Sequence, residues 1–458
     1  MTELAERPAE LAERPAMRSV PDLRTEVPGP KARRHVAFDH RFTSPSLPRA
    51  YPIVPIRGWG AAVEDIDGNV FLDFTAGIAV SSTGYAHPRI TAAIEEQARN
   101  LIHFSASDFY LPIYAELAAK LDDIAPIDGP TRAFIGNSGT EAVEAAIKLA
   151  RFATRRQYLV SFLGGFHGRS YGSVTLTASK AKYHSGFGPM LPGVLHVPFG
   201  NAGLDELESR VFKRIIPADE IAAIVVEPIQ GEGGYVIPED DFFARLRDLC
   251  DRNGILLIAD EVQSGAGRTG KMWAIEHWGV QPDIVAIAKG IASGMPLGAM
   301  VARADLMTWS KGHHGSTFGG NAVSCAAALT TIDLLEEGLM TNATERGREV
   351  MDGLKPLIAD HGQVVRDVRG KGLMIGIQFD SGDTAEAVQW ACFERGLLVL
   401  EAGDDVVRMS PPLVIDSGDA ATAVRIFSEA VSVVARDPQG AYKRALKWMT
   451  IDDGEVDG

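Results

Sequence analysis

Five continuous apolar runs lie in the middle of this chain, separated by segments whose apolar residues recur at helical spacing. Apolar runs without polar alternation are typical of strands buried on both faces, as in a parallel sheet covered by helices. The pattern therefore predicts an α/β fold with a mostly parallel central sheet. The runs span residues 133–135, 221–226, 255–259, 284–288 and 298–302.

The pattern changes near both ends of the chain. After about residue 345 a helix and then a Gly-rich, strand-like segment at 370–377 predict a separate, smaller α+β domain. The start of the chain repeats Leu-Ala-Glu-Arg-Pro-Ala and has few large apolar groups, which predicts disorder. The predicted units are a disordered tail at 1–35, the first part of the small domain at 36–95, a large domain at 96–345, the rest of the small domain at 346–440 and an acidic tail at 441–458.

Composition excludes several classes of function. The net charge of −15 argues against a nucleic-acid partner, because phosphate backbones are bound by clustered Lys and Arg. Cys250, Cys325 and Cys392 are too few and too scattered for a disulfide framework or a metal site. No apolar run is long enough to cross a bilayer, so we expect no membrane partner and a cytoplasmic location.

Polar clusters follow the predicted strands, at the edge where open α/β sheets bind ligands. The first run leads through Ser138, Gly139 and Thr140 into a helix-period segment. The backbone N–H groups and dipole of a helix N-terminus attract anions, so a phosphate would fit there. From these residues alone, an N-capped helix without a ligand is an equally good interpretation.

Two other runs end in an acid and an amine, Asp260 and Lys289. A structural ion pair between them is one interpretation. A buried charge is costly, however, and Lys289 stands between Ala288 and Gly290, which favours a chemical role such as a Schiff base.

Four linked motifs make the prediction more specific. In order along the chain they are EPIQGEGG at 227–234, DEVQSG at 260–265, Lys289-Gly290 followed by GMPLG at 294–298, and GSTFGGN at 315–321. Over about residues 35–435 the chain resembles the class III, ω-amino-acid branch of the pyridoxal 5′-phosphate (PLP)-dependent aminotransferases, which have fold type I. 4-Aminobutyrate and ornithine aminotransferases belong to this branch.

The resemblance implies a role for each residue that matches a motif. Lys289 would hold PLP as a Schiff base and then shuttle the proton, while Asp260 would pair with the protonated pyridine nitrogen. Gln263 would bind the 3′-oxygen and Phe166 would stack on the ring; a helix cap and a core side chain are the alternatives. Thr317 would reach the phosphate of a neighbouring subunit, which implies a homodimer or a higher homo-oligomer with shared active sites. The implied cofactor-binding residues are Ser138, Gly139, Thr140, Phe166, His167, Asp260, Gln263, Lys289 and Thr317, with His167 also open to a structural role.

Two arginines would select the substrate, because guanidinium binds carboxylate through two parallel hydrogen bonds. Arg169 matches the residue that takes the carboxylate of the ω-amino acid in 4-aminobutyrate aminotransferases. Arg408 matches the one that takes the α-carboxylate of 2-oxoglutarate or glutamate. Glu232 matches the acid that covers Arg408 when the substrate has no α-carboxylate. A surface salt bridge is the alternative for either arginine.

The donor is less well defined. Ile78 matches the aliphatic residue of the 4-aminobutyrate enzymes, whereas the segment at 103–110 is similar to archaeal-type ornithine aminotransferases and amino-acid racemases. Asp108 in that segment would receive a second amino group or serve as a turn acid. The prediction is a transaminase that moves the amino group of 4-aminobutyrate, or a similar ω-amino acid, to 2-oxoglutarate. An ornithine or acetylornithine aminotransferase and a PLP-dependent racemase are the alternatives.

Overall fold

The computed structural model describes residues 19–449, so residues 1–18 of the predicted tail at 1–35 and residues 450–458 of the predicted tail at 441–458 lie outside the described residues. The strands are β1 (Pro55–Trp59), β2 (Ala62–Asp65), β3 (Val70–Asp73), β4 (Thr131–Gly136), β5 (Tyr158–Phe162), β6 (Val194–Val197), β7 (Ile221–Val226), β8 (Leu256–Asp260), β9 (Ile284–Ile287), β10 (Gly298–Arg303), β11 (Val365–Lys371), β12 (Met374–Phe379), β13 (Leu397–Leu398), β14 (Leu400–Ala402) and β15 (Val406–Met409).

Helix α1 precedes the first strand, and helices α14 and α15 follow the last strand. They are α1 (Pro30–His40), α2 (Ala76–Ala79), α3 (Pro88–Asn100), α4 (Pro112–Asp123), α5 (Gly139–Thr154), α6 (Tyr171–Leu176), α7 (Asn201–Glu206), α8 (Phe212–Arg214), α9 (Phe242–Asn253), α10 (Ala322–Leu334), α11 (Met340–Leu354), α12 (Pro356–Asp360), α13 (Gly382–Phe393), α14 (Ser417–Arg436) and α15 (Pro438–Met449). Within residues 19–449, none of these helices has both the length and the apolar character needed to cross a bilayer.

A seven-stranded sheet in the order β4-β10-β9-β8-β7-β5-β6 forms the centre of the molecule. Its strands run parallel except β10, which is antiparallel to both β4 and β9. Every residue of β7, β8 and β9 is buried, and these strands lie in the middle of the sheet. The predicted α/β fold with a mostly parallel sheet is therefore confirmed, and all five apolar runs are strands of it.

Two smaller sheets flank the central one. The first has the order β1-β2-β3-β13, and the second is an antiparallel sheet in the order β11-β12-β15-β14. In the first sheet β13 pairs in parallel with β3, which joins chain segments from the two ends of the sequence. A small domain assembled from both ends requires such a pairing, while its boundaries at 36–95 and 346–440 stay predictions.

Residues 19–35 and 441–449 correct the predicted tails. The backbone of Asp22 pairs with that of Val70 in β3, and the Asn69 side chain accepts hydrogen bonds from the backbone N–H groups of Arg24 and Thr25 at 2.7 and 2.9 Å. Residues 441–449 belong to α15. Contacts with residues distant in the chain order these segments, and local composition does not reveal such contacts.

A buried arginine connects the central part of the chain with the C-terminal part. Arg268 lies in the loop after β8 and donates hydrogen bonds to the carbonyl oxygens of Leu373 at 3.2 Å and Pro411 at 2.5 Å. Burial lowers the pKa of its guanidinium to about 10. No carboxylate among residues 19–449 lies within 4 Å of it.

Candidate active site

A cavity of about 310 Å³ opens where β4, β7, β8 and β9 end. Because these strands run in one direction, the residues that follow them meet at one edge of the sheet. The reversed strand β10 brings its preceding segment, residues 294–297, to the same edge. The predicted residues in the cavity wall are Ser138, Gly139, Thr140, Phe166, His167, Asp260, Gln263 and Lys289.

Lys289 follows β9 and lines the cavity. Its backbone has a φ of +49°, a left-handed conformation that is strained for a side chain with a Cβ. Burial lowers the pKa of its amine to about 8; Glu232 opposes this change and Arg408 reinforces it. An amine with such a pKa is partly neutral at physiological pH, as a nucleophile that forms a Schiff base must be.

Asp260, at the end of β8, forms a buried pair with His167. The His167 Nδ1 atom donates to Asp260 Oδ2 at 2.7 Å, and the Val262 backbone N–H donates to Oδ1 at 3.1 Å. Burial opposes protonation of His167, but the hydrogen bond and the charge of Asp260 outweigh it and raise the histidine pKa. The pair therefore holds an oriented carboxylate against the cavity.

Glu227 is a wall residue whose role sequence reasoning missed, although it opens the EPIQGEGG motif. It follows β7, and its carboxylate accepts hydrogen bonds from the backbone N–H groups of Phe166 and Gly231, both at 2.8 Å. Burial raises its pKa to about 7, with His167 opposing and Asp260 reinforcing the rise. Its position directly after an all-apolar strand was the available signal.

The N-terminus of α5 forms the anion-binding end of the cavity. Ser138 is the N-cap residue, and the alanines of α5 allow the helix to pack closely on the sheet. Thr140 Oγ1 lies 2.5 Å from Ser173 Oγ and accepts a hydrogen bond from the Ser170 backbone N–H at 3.3 Å. Free helix N–H groups and hydroxyls together suit a phosphate.

Arg408 lies in β15, just behind the cavity wall. Its Nη1 donates to Glu232 Oε1 at 2.5 Å and to Gln263 Oε1 at 3.4 Å. Burial opposes ionisation of Glu232, but Arg408 outweighs it and lowers the Glu232 pKa. Gln263, Glu232 and Arg408 therefore form one hydrogen-bonded group next to Lys289.

Arg169 is exposed and lies beside the wall residues Phe166 and Gly168. Its guanidinium carbon lies 4.5 Å from the centre of the Tyr183 ring and 5.6 Å from that of Phe166. Sequence reasoning missed Tyr183, which belongs to a short turn far from the motifs.

Besides Arg169, Glu232 and Arg408, which lie next to the wall, three predicted residues are exposed and do not line the cavity of their own chain. Ile78 is 46% exposed and has a φ of +69°. Asp108 is exposed and accepts a hydrogen bond from Ser105 Oγ at 2.8 Å, which fits the turn-acid interpretation. Thr317 is exposed as well. Their predicted roles in cofactor and substrate binding stay predictions.

The wall residues match the functional groups of PLP. An amine of lowered pKa would suit an aldehyde, a helix N-terminus with hydroxyls would suit a phosphate, and a buried carboxylate would suit a protonated ring nitrogen. The fit involves side chains from separate strands and helices of the fold.

Comparison with known proteins agrees with this geometry. Residues 46–431 match the family model of class-III aminotransferases. The chain is 37% identical over 440 residues to an alanine/serine racemase of Pyrococcus horikoshii, covering 90% of this chain and 92% of the relative. It is 43% identical over 400 residues to the acetylornithine aminotransferase of Methanothermobacter thermautotrophicus, covering 87% and 98%.

A solved structure extends the similarity to the fold and the cofactor. The ornithine aminotransferase of Toxoplasma gondii, described with partial occupancy of PLP at its active site, superimposes with a TM-score of 0.81 at 30% identity, covering 88% of this chain and 95% of that one. The chain belongs to the class III aminotransferase family and is a PLP-dependent enzyme of fold type I.

Proposed function

We propose that this enzyme transfers the terminal amino group of an amino acid with a distant carboxylate to 2-oxoglutarate, with N-acetylornithine and ornithine as the first candidate donors and 4-aminobutyrate as the next. The observation that carries the proposal is the placement of two arginines beside one cavity, Arg169 open and Arg408 covered by Glu232. The similarity to acetylornithine aminotransferases supports the longer donors.

Each arginine would hold one carboxylate while the amine reaches Lys289. The donor places its carboxylate on Arg169, and Glu232 neutralises Arg408 while the second position carries no charge. 2-Oxoglutarate then brings an α-carboxylate that displaces Glu232 from Arg408. The donor's terminal CH₂–NH₂ group becomes an aldehyde and 2-oxoglutarate becomes glutamate, so the amino group and the electrons balance without another oxidant.

The chain's own residues would hold the cofactor and move the proton. Bound PLP supplies an electron sink that acidifies the C–H bond next to the amino nitrogen. The amine of Lys289, with a pKa near 8, is suited to accept that proton and return it. Asp260, oriented by His167, would keep a positive ring nitrogen in place, and Ser138 and Thr140 would hold the phosphate.

We further propose that two copies assemble with their active sites adjacent. Segments 101–110 and 315–321 lie against each other, with Ser107 Oγ donating to the Ser316 carbonyl at 2.9 Å. Their surface exposes large apolar side chains, including Tyr110 at 100% and Phe318 at 63%. We propose that a second copy of the chain covers these side chains. In such a dimer Thr317 would contact the cofactor of the neighbouring subunit. Sedimentation equilibrium should give twice the mass of the chain.

The test is a panel of amino donors with 2-oxoglutarate: N-acetylornithine, ornithine, 4-aminobutyrate and L-alanine. Donors with a terminal amine should have the higher kcat/KM, and Arg169→Lys should raise their KM far more than that of L-alanine, because an ammonium cannot replace the paired hydrogen bonds of a guanidinium. Preference for L-alanine without terminal-amine activity would contradict the proposal.

A racemase is the second candidate, supported by the similarity to the alanine/serine racemase. Racemisation also removes the proton next to the amino nitrogen but returns it to the opposite face of the same carbon. Incubation with a single L-amino acid and no keto acid, followed by chiral chromatography, separates the two. Accumulation of the D-form would favour the racemase.

A further inference from the structure

We propose that Tyr183 is a positioning residue that determines specificity, since its ring holds Arg169 ready for the distal carboxylate of the substrate. This inference rests on the proposed function, in which Arg169 binds that carboxylate. It assigns a role to a side chain outside the motifs.

The two arginines beside the cavity are held by different kinds of partner. Arg408 is covered by the carboxylate of Glu232, which occupies one of its N–H donors. Around Arg169, no carboxylate among residues 19–449 approaches within 4 Å of the guanidinium. Its partners are two aromatic rings, with Tyr183 the nearer at 4.5 Å and Phe166 at 5.6 Å. Attraction between a cation and a ring face stabilises the arginine without placing a carboxylate on its donors, and the Tyr183 hydroxyl adds a polar contact to the guanidinium.

The Tyr183 ring is itself fixed. It stands nearly perpendicular to Phe166, with ring centres 5.5 Å apart and an interplanar angle of 72°. It ends the turn Ala181–Tyr183, and the next residue anchors that turn, because the His184 ring nitrogen Nε2 lies 2.8 Å from the Val174 carbonyl in α6. Arg169 is thus held through a ring that packs on a cavity-wall residue.

Charge supports the same arrangement. Burial raises the pKa of Tyr183, with Glu232 reinforcing the rise and Arg169 opposing it, so the ring remains a neutral phenol. A neutral ring does not compete with the substrate for the guanidinium as an acid would. Arg169 would therefore be open to a carboxylate in both halves of the reaction, whereas Arg408 opens in only one.

The experiment compares Tyr183→Phe, which keeps the ring, with Tyr183→Leu, which removes it, both as holoenzymes. Lys182→Ala is the matched control. Lys182 is exposed, and its Nζ atom is a second cation near the Tyr183 ring, 5.7 Å from the ring centre. Binding of butyrate, a carboxylate without an amine, is followed through the absorbance of the bound cofactor. kcat and KM are measured for N-acetylornithine and for L-alanine.

Because Arg169 is exposed, Tyr183→Leu should weaken butyrate binding about two- to fivefold and raise the KM for N-acetylornithine by a similar factor, with kcat and the KM for L-alanine little changed. This factor corresponds to a cation–π contribution of about 0.5–1 kcal/mol, the range for an exposed cation. Tyr183→Phe keeps the ring and loses only the hydroxyl, so its butyrate binding should stay stronger than that of Tyr183→Leu, and Lys182→Ala should behave like the wild type. If the Leu variant does not bind cofactor, Tyr183→Met replaces it as the variant without a ring.

Two results would overturn the role of Tyr183 and leave the proposed function in place. One is unchanged butyrate binding in the Leu and Met variants, and the other is a Phe variant that binds butyrate as weakly as the Leu variant. A wild type that binds no butyrate and prefers L-alanine to N-acetylornithine would remove the proposed function together with this inference. The wild-type measurements therefore distinguish the two failures.

Discussion

Replacing Lys289 by Met should stabilise the cofactor-free enzyme at neutral pH, although it abolishes turnover. The amine lies in a cavity wall where burial disfavours its charge, and its neighbour Arg408 adds repulsion. Met fills nearly the same volume without a charge. Burial of the Lys289 amine therefore makes the amine reactive and also lowers the stability of the wild-type protein.

The magnitude follows from the pKa. A pKa of about 8 in the folded chain, against 10.5 for an ordinary lysine, corresponds to a cost of up to about 3 kcal/mol at about 1.4 kcal/mol per pH unit. Between these two values the unfolded chain binds the proton and the folded chain has lost it, so wild-type stability rises with pH across this window. The full cost applies below pH 8 and disappears above 10.5.

Urea unfolding of the cofactor-free proteins at pH 7 and at pH 10 measures this directly. The free energy of unfolding of Lys289→Met should exceed that of the wild type by up to about 3 kcal/mol at pH 7, and by much less at pH 10. Lys213, an exposed residue of α8, provides the control. The unfolding free energy of Lys213→Met should be close to that of the wild type at both pH values. A Met variant no more stable than wild type at pH 7, or an advantage independent of pH, would refute the reasoning.

Two further predictions concern the cavity wall. The Glu227 pKa of about 7, against an ordinary 4.5, makes the folded chain the stronger proton binder between these values, so wild-type stability falls as pH rises through this window. Glu227→Gln should remove that fall in urea unfolding at pH 5 and 7.5; an unchanged slope would contradict the assignment. In Gly298→Ala the new Cβ would lie 2.1 Å from the Ser138 carbonyl oxygen at the start of α5. The helix N-terminus must shift, which should cost about 1–3 kcal/mol and weaken PLP binding in a fluorescence titration of the cofactor-free enzyme. Wild-type affinity would show that this end of the helix does not hold the phosphate.

The sequence predicted the central sheet because burial on both faces leaves a direct signal. The run at 221–226 coincides with β7, and the four other runs overlap β4, β8, β9 and β10. The strands β5 and β6 were not singled out. The antiparallel direction of β10 was also not predicted, since an apolar run carries no information about the direction of its neighbours.

Site residues were predictable where they directly follow a strand or lie in a linked motif. Asp260 and Lys289 meet both conditions, and the structure places both in the cavity wall. Tyr183 meets neither, because its position depends on how a distant turn packs against Phe166. The predicted role of Thr317 depends on a second chain, whose contacts a single sequence pattern does not describe.

The buried Arg268 limits how the enzyme can move. Its guanidinium has exchanged water for the carbonyl oxygens of Leu373 and Pro411, so separating the two parts of the chain there would strand a cation without hydrogen bonds. We expect the hydrogen bonds of Arg268 to Leu373 and Pro411 to stay intact during turnover, so that these two parts of the chain move together.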